Sequence, residues 1–545
     1  MRLALAPGLG AGNFFWHACR VAGRAGLDRP VLHRRGPQGT REWSLRELRE
    51  VVTRYAAFHA AHGARPGSRI GVYTADGLTG LLHHVAITAL GGATVLANPK
   101  MPGDVATHYF AATDTTFVVG DRERLALLDG LDPAIGTADV LEVDAPARLP
   151  RLHRHAAADL VLVSHSSGTT GVPKPTEFGH RSFFVGKRER LWNFPSRRED
   201  RLLTALPQSH SAGISYVSLA LLLGLPTLML DDAADGALAA AMNEFEPTVV
   251  IGFPISLAEL DPDALTERAA ARVHTWMGMG DASHERHIRP LVRLGRRPDG
   301  RRGSTYVDGL GSSEMGMVLF RVAHTPETDD YGRLIGKPVK VVREAAALDE
   351  RGNALPPGRA GLLGVRTPST TPGYVNAPDL NERSWSGGYF LTGDVVRQDE
   401  QGNFYHLDRT PDVITTRTGP VYSLEVEEVV LVATGAFDCA VVAVADPGSP
   451  GHSAPAGVVL FADGDHPSAD ELLAACNETL TGAGLTALSA LVVAEDRDGL
   501  PVGVTGKVLK RVLRERHADL LSLPPSRNVA LADVIADNAP RGGGR

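Results

Sequence analysis

The stretch DLVLVSHSSGTTGVPKP, Asp159–Pro175, decides how the rest of the chain is read. Its first five residues, Asp159 to Val163, are a short apolar, β-branched run of the kind that forms a buried strand. A loop springs from the end of that strand. Gly168 and Gly171 allow positive φ and a close backbone approach, Ser166, Ser167, Thr169 and Thr170 bring hydroxyl donors, and Lys174 adds a cation. Exposed N–H groups, hydroxyls and one ammonium make a cradle for an anion. Ser, Thr, Gly and Pro would suit a plain surface turn as well, and Lys174 directly after Pro173 favours the cradle. The G-x-x-x-x-G-K-[ST] phosphate loop does not fit, because the lysine follows Gly171 by three residues and no helix start comes after it.

Working outward, strand-like runs alternate with helical stretches: RIGVY (69–73), ATVLA (93–97), TTFVVG (115–120) and TVVIGF (248–253), with helical pieces such as SLRELREVVTRYAAFHAAHG (44–63) between them. That alternation predicts α/β layers with largely parallel sheets. After about residue 410 the pattern restarts on a smaller scale, with CAVVAVAD (439–446), AGVVLFADG (456–464), a helix at 468–480 and LSALVVAED (488–496). The fold class is therefore α/β, a large N-terminal domain (1–409) of layered, mostly parallel sheets and helices, followed by a small, mobile α+β C-terminal domain (410–522). The aperiodic end, 523–545, reads as a flexible tail.

With 545 residues the chain exceeds what one core sustains, in keeping with two domains or more. A formal charge of −7 supplies no basic stripe and excludes nucleic acid as the expected partner. Cys19, Cys439 and Cys476 lie far apart, which suits a reducing cytoplasm and neither a zinc site nor a disulfide framework. The N-terminus lacks a signal-peptide core and no apolar run reaches the length of a membrane span, so a cytoplasmic location is expected. Two stretches imitate dinucleotide fingerprints. GLGAGN (8–13) has Asn13 where a third glycine or alanine belongs and reads as a flexible N-terminal turn; GLGSSE (309–314) fails the same test. His284 and His287 share a helix without a third ligand and read as a solvated face.

Five separated stretches together resemble the adenylate-forming (AMP-binding) superfamily of acyl-CoA ligases, amino-acid adenylation domains and luciferases. They are SSGTTGVPK, LGSSEMG (310–316), GYFLTGDV (388–395), LDRTPDVI (407–414) and PVGVTGKVLKR (501–511), in the family's order and spacing over nearly the whole chain. The resemblance implies ATP, Mg²⁺ and a carboxylic acid as ligands, with an acyl-adenylate and pyrophosphate as products. It places the β- and γ-phosphates on Ser166, Ser167, Gly168, Thr169, Thr170, Gly171 and Lys174, and Mg²⁺ on Glu314 beside Ser313. It assigns the ribose to Asp394 with Arg409 nearby, and the transition-state charge to Lys507. His210, in PQSHSAG, would stand at the mouth of the acyl pocket, and Gly278 and Gly280, in MGMGDAS, would line the adenine and acyl sites.

Departures from the family pattern cluster where the second half-reaction, transfer to a thiol, is served. The hinge position holds Pro411, which fixes φ and leaves only ψ to rotate. The glycine turn that should enter a pantetheine tunnel reads RTGPV, with Arg417 and Thr418 at the two glycine positions. Pro175 replaces a glycine after the loop lysine, and Leu310 replaces the tyrosine that would stack on adenine. No aspartate stands near His210 to hold a substrate ammonium, which disfavours an amino acid. The expected activity is that of an ATP-dependent acid-thiol ligase, acyl-CoA synthetase-like, on a non-amino-acid carboxylate with CoA as acceptor. The alternatives are an adenylation-only enzyme serving a carrier protein or partner enzyme, and an inactive nucleotide-binding sensor.

Overall fold

A computed structural model describes residues 6–36, 39–132, 135–139, 148–166, 173–194, 197, 199–462, 466–503 and 506–532. Six strands form the sheet that carries the anion-loop strand, in the order Gly136–Asp139, Phe117–Gly120, Arg69–Tyr73, Ala93–Leu96, Leu160–Ser166 and Lys174–Gly179. All neighbours in it are parallel except the last two, which return antiparallel and bring Ser166 opposite Lys174. The predicted strands at 69–73, 93–97 and 115–120 are thus real, and adjacent. The helix read at 44–63 spans Leu45–Ala61 and starts on a capping box, in which Ser44 and Glu47 each satisfy the other's backbone N–H.

A second, longer sheet has two characters. Its parallel half joins Pro30–Gly36, Thr227–Met229, Leu202–Thr204, Val249–Gly252, Thr275–Gly278 and Thr305–Asp308. From Thr305–Asp308 onward, through Phe320–His324, Leu334–Pro338, Phe404–Arg409, Tyr389–Gln398, Ala360–Arg366 and Glu344–Leu348, every pairing is antiparallel. Short hairpin connections permit this, whereas parallel neighbours need helical crossovers. The α/β reading holds, and the antiparallel portion is an addition to it.

The small C-terminal unit holds the strands Asp438–Ala445, Ser453–Leu460, Ala490–Ala494 and Val529–Leu531, backed by helices Ser423–Thr434 and Ala469–Gly482. The last strand corrects the expected tail. Val529–Leu531 pairs antiparallel with Ala490–Ala494, and Ala530 is fully buried in the core of this unit. A three-residue strand is too short to show a period, which is why no local pattern marks it. Residues 533–545 lie outside the described residues.

The two units meet through buried polar contacts. Glu428, on the helix Ser423–Thr434, takes His284 Nδ1 at 2.8 Å and the Glu285 N–H at 2.7 Å, with Arg333 at 3.8 Å. His287 Nε2 reaches the Phe437 carbonyl at 2.7 Å. His284 and His287 are therefore interdomain contacts and not a solvated face, because a docked second unit covers their helix. GLGAGN is likewise no loose turn: Leu9, Gly10, Ala11 and Gly12 are all buried. No helix among the described residues is long and apolar enough to cross a membrane.

Candidate active site

A cavity of about 170 Å³ opens where the two units meet, walled by Lys174, His210, Gly280, Ser313, Glu314, Arg409 and Lys507. Seven residues singled out in the sequence, from stretches spread over more than 300 positions, thus converge on one space. An adjoining recess is lined by Gly280, Leu310, Asp394, His406, Arg409 and Lys507, so Asp394 stands beside the main cavity rather than in its wall. The antiparallel register sets Asp394 directly opposite Arg409, whose Nε lies 3.1 Å from Oδ1. Burial pushes the Asp394 carboxyl up, but Arg409 and His406 outweigh it and hold it at about 2. It is an anion at any working pH, suited to accepting hydroxyl donors.

Lys507 enters from the small unit. Gly506 before it has φ +76° and packs so tightly on the large unit that a Cβ there would lie 2.2 Å from Ile255 Cγ2. Lys507 Nζ stands 3.3 Å from Asp281 Oδ1, which fixes the direction of a long, flexible side chain. Burial raises the Asp281 carboxyl, and Lys507 more than offsets this. Glu314 is the carboxylate among the residues walling the main cavity. Its Oε1 accepts the Tyr374 hydroxyl at 3.1 Å, and its carbonyl accepts the Thr371 N–H at 2.7 Å. A carboxylate oriented from behind and facing a phosphate-sized space fits Mg²⁺, a cation bound by one or two carboxylates plus substrate phosphates, whose chemistry is to neutralise and orient those phosphates.

His210 caps the helix Ser211–Leu223, its Nδ1 accepting the Ala212 N–H at 3.2 Å. Burial pushes its pKa down to about 4. The neutral ring therefore carries its proton on Nε2, as a donor. Gly280 has φ +98°, a conformation that requires glycine there. Gly278 does not wall the cavity: a Cβ would meet the Tyr306 hydroxyl at 2.2 Å, so its smallness serves strand packing. Ser166 ends its strand, and Ser167, Gly168, Thr169, Thr170 and Gly171 lie outside the described residues. Pro411 sits exposed in the 3-10 turn Thr410–Asp412, and Arg417 and Thr418 lie exposed at the tip of the hairpin Ile414–Val421, away from both cavities.

Among the wall residues that had no signal in the sequence, three are basic or phenolic. Lys187, Arg190 and Tyr216 line the cavity from the helices Val185–Asn193 and Ser211–Leu223. Lys187 is 4% exposed; its Nζ donates to the Phe183 carbonyl at 2.5 Å and lies 3.4 Å from the centre of the Phe183 ring. Burial drives its pKa well below the ordinary lysine value. Arg190 reaches the Tyr216 hydroxyl at 3.4 Å. The run KRER (187–190) has the composition of a solvated helix face, yet Lys187, Glu189 and Arg190 are buried, with Phe183 and Phe184 packed in the core just before the helix and the helix Ser211–Leu223 against it. Lys174, Arg190, Arg409 and Lys507 against the one carboxylate of Glu314 make the cavity an anion site at more than one place along its wall.

The comparisons agree with this geometry. Residues 19–375 match the family model described as AMP-binding enzyme. A 3-aminoavenalumate diazotase from Streptomyces sp is 37% identical over 543 residues, covering 94% of this chain and 96% of that protein. A feruloyl-CoA synthase from Amycolatopsis sp is 28% identical over 487 residues, covering 86% of this chain and 93% of that protein. Among solved structures, an anthranilate CoA ligase in complex with anthranoyl-AMP superposes with a TM-score of 0.81 at 18% identity, covering 96% of this chain and 100% of that one. A family match over well more than half of the residues, on a fold of two units that closes around this cavity, makes the chain an AMP-binding enzyme of the adenylate-forming, acyl-CoA ligase-like family.

Proposed function

We propose that this chain uses ATP to join a small oxyanion to AMP, and that the activated group passes to an aromatic amine bearing a carboxylate, in an ATP-dependent diazotisation. The observation that carries this is a second basic set, the Arg190 guanidinium with the buried Lys187 amine beside it, walling the same cavity as the cations Lys174, Arg409 and Lys507. One set suits the phosphates and the attacking oxyanion. The other suits an acid group that the substrate keeps. The name of the Streptomyces relative describes such a substrate, an amine that is also a carboxylate, and the reaction class is carried over from it.

The chemistry balances without an outside oxidant. Diazotisation needs a nitrosating nitrogen at the oxidation level of nitrite, and a site that makes AMP anhydrides of oxyanions can make one from nitrite. A nitrite oxygen attacks the α-phosphorus, and the bond to the β-phosphate oxygen breaks, releasing pyrophosphate. The amine nitrogen attacks the nitroso nitrogen; the N–O bond breaks with its electron pair going to AMP. The resulting nitrosamine tautomerises to the diazohydroxide, whose oxygen takes up one proton and leaves as water to give the diazonium ion, so the proton lost by the amine is returned in this step. Lys507 would stabilise charge at the α-phosphorus, Glu314 would hold Mg²⁺, Asp394 the ribose, and Lys174 with the Ser166–Gly171 loop the terminal phosphates. Arg190 would hold the retained carboxylate. Lys187, whose charged form burial disfavours, would take the proton lost by the attacking nitrogen.

The 28% identity to a feruloyl-CoA synthase favours a second reading, carboxylate activation with CoA or a carrier thiol as acceptor. Pro411, Arg417 and Thr418 stand against it. One experiment separates them. The protein is incubated with ATP, Mg²⁺ and 3-aminocinnamate at pH 8, where uncatalysed diazotisation is slow, with and without nitrite and with and without CoA. Pyrophosphate is followed, the diazonium is trapped as an azo dye with a naphthol, and thioesters are sought by mass spectrometry. Nitrite-dependent pyrophosphate and dye support the proposal; a nitrite-independent thioester establishes the second reading. Pyrophosphate equal to the enzyme-free control in every mixture defeats both and leaves the nucleotide sensor.

A further inference from the structure

Away from the cavity, the segment HRHAAAD (153–159) gathers two imidazoles and a carboxylate at the root of the strand Leu160–Ser166. His153 Nε2 lies 2.8 Å from Asp159 Oδ2, and His155 Nδ1 lies 3.8 Å from the same oxygen. All three donor atoms fall within 4.8 Å of one another. Two donors each about 2 Å from a tetrahedral zinc ion stand roughly 3.3 Å apart, between the two separations to Asp159.

The state of His155 singles this cluster out. Its side chain is 1% exposed, and Nε2 meets the Thr88 carbonyl at 3.0 Å. A carbonyl only accepts, so Nε2 carries the proton and Nδ1 presents a lone pair. That Nδ1 is buried and has no hydrogen-bond partner among the described residues. It faces a carboxylate oxygen, lone pair toward anion, an arrangement that costs energy unless a cation lies between them. A ring nitrogen bonded to a backbone carbonyl with the other left free is also how metal-ligating histidines are held.

The rings are built into place. A Cβ at Gly91 would lie 2.6 Å from the His153 ring, and one at Gly12 would lie 2.4 Å from the His155 ring. His180 stacks on His155 at 4.6 Å and 3°, and its Nδ1 accepts the Gly12 N–H at 3.0 Å. His153 N–H donates to the Ala89 carbonyl at 2.8 Å. The side chains of His153 and Asp159 are 23% and 31% exposed, which leaves one open side for water.

We propose that His153 Nε2, His155 Nδ1 and Asp159 Oδ2 bind a divalent transition ion, zinc by preference, with water as fourth ligand. Two imidazoles and a carboxylate are a zinc-competent set and a poor one for Mg²⁺. The ion would be structural. It would pin the 148–159 segment to the end of the helix Gly77–Ala89, immediately before the strand that feeds the phosphate loop.

The test uses the full-length, tag-free protein, stripped with chelator and titrated with Zn²⁺ against a chromophoric chelator in the presence of excess Mg²⁺, then with Co²⁺ followed by visible absorption. The expected result is about one ion per chain, a tetrahedral Co²⁺ spectrum, and loss of both in His153→Gln and in Asp159→Asn. His108→Gln, at an exposed histidine outside the cluster, should bind as the natural chain does. Circular dichroism of the stripped variants shows whether they remain folded, and His153, the more exposed ring, is the safer substitution. Failure of the natural chain to retain Zn²⁺, or retention unchanged in folded His153→Gln and Asp159→Asn, overturns the proposal.

Discussion

At the scale of single residues, the site is a matter of which charges face each other. Lys507→Ala should lower AMP-anhydride formation by about 10²–10³-fold, read as pyrophosphate release, because it removes a preorganised donor from the developing charge. Binding of ATP, measured calorimetrically, should change little, since Lys174 and Asp394 remain. Arg190→Leu should cost about 1.5–3 kcal/mol of binding, roughly a ten- to hundredfold rise in KM, for an aryl amine carrying a carboxylate. An uncharged aryl amine should show no such rise, and an equal rise for both would refute the carboxylate assignment. These two residues differ in how visible they were. Lys507 sits in a motif, PVGVTGK, whose form announces a lysine of special use. Arg190 sits in a charged run whose burial depends on Phe183, Phe184 and a neighbouring helix, and no local pattern encodes that.

At the scale of elements, the helix Ser423–Thr434 is the small unit's handle on the large one, and its grip depends on pH. Burial lowers the His284 pKa, but Glu428 outweighs it and the net shift is upward, with Arg333 opposing and Glu427 assisting. Burial raises Glu428, but His284 and Arg333 bring it down to about 2. The raised histidine contributes to docking fully below its ordinary 6.5, and that contribution fades as pH rises through the raised value. The depressed carboxylate contributes above its ordinary 4.5 and fades as pH falls toward 2. Docking is expected to be tightest between those ordinary values and looser in alkali. Hydrogen exchange of the 423–434 amides should quicken from pH 6 to pH 9 beyond its intrinsic pH dependence, and His284→Asn should abolish that extra rise. The strand Val529–Leu531 makes a second prediction. A chain ending at Ser522 removes the edge partner of Ala490–Ala494 and empties the place of Ala530, and should lower the melting temperature of the small unit. An unchanged thermogram would mean the strand contributes nothing. The strong periodicity of Leu45–Ala61 and of the β-branched runs made those elements legible in advance. The antiparallel half of the long sheet was not, because its strands show no contrast with parallel ones except through partners far away in sequence.

At the scale of the whole molecule, the order of five motifs carried the division into two units and the place where they meet. What the order could not carry was the wall chemistry of the cavity, which comes from helices that no motif marks. Nor could it carry the histidine cluster at 153–159, whose meaning lies in Gly12, Gly91 and Thr88 as much as in its own residues. The tight seat of Gly506 on Ile255 has a last consequence. The lysine in the cavity wall is carried by the small unit, so its place there depends on how that unit is seated. A seat loosened at Glu428, as in Glu428→Ala, should take Lys507 off its mark and slow pyrophosphate release while leaving every residue of the large unit's wall in place, and restored packing there should bring the rate back.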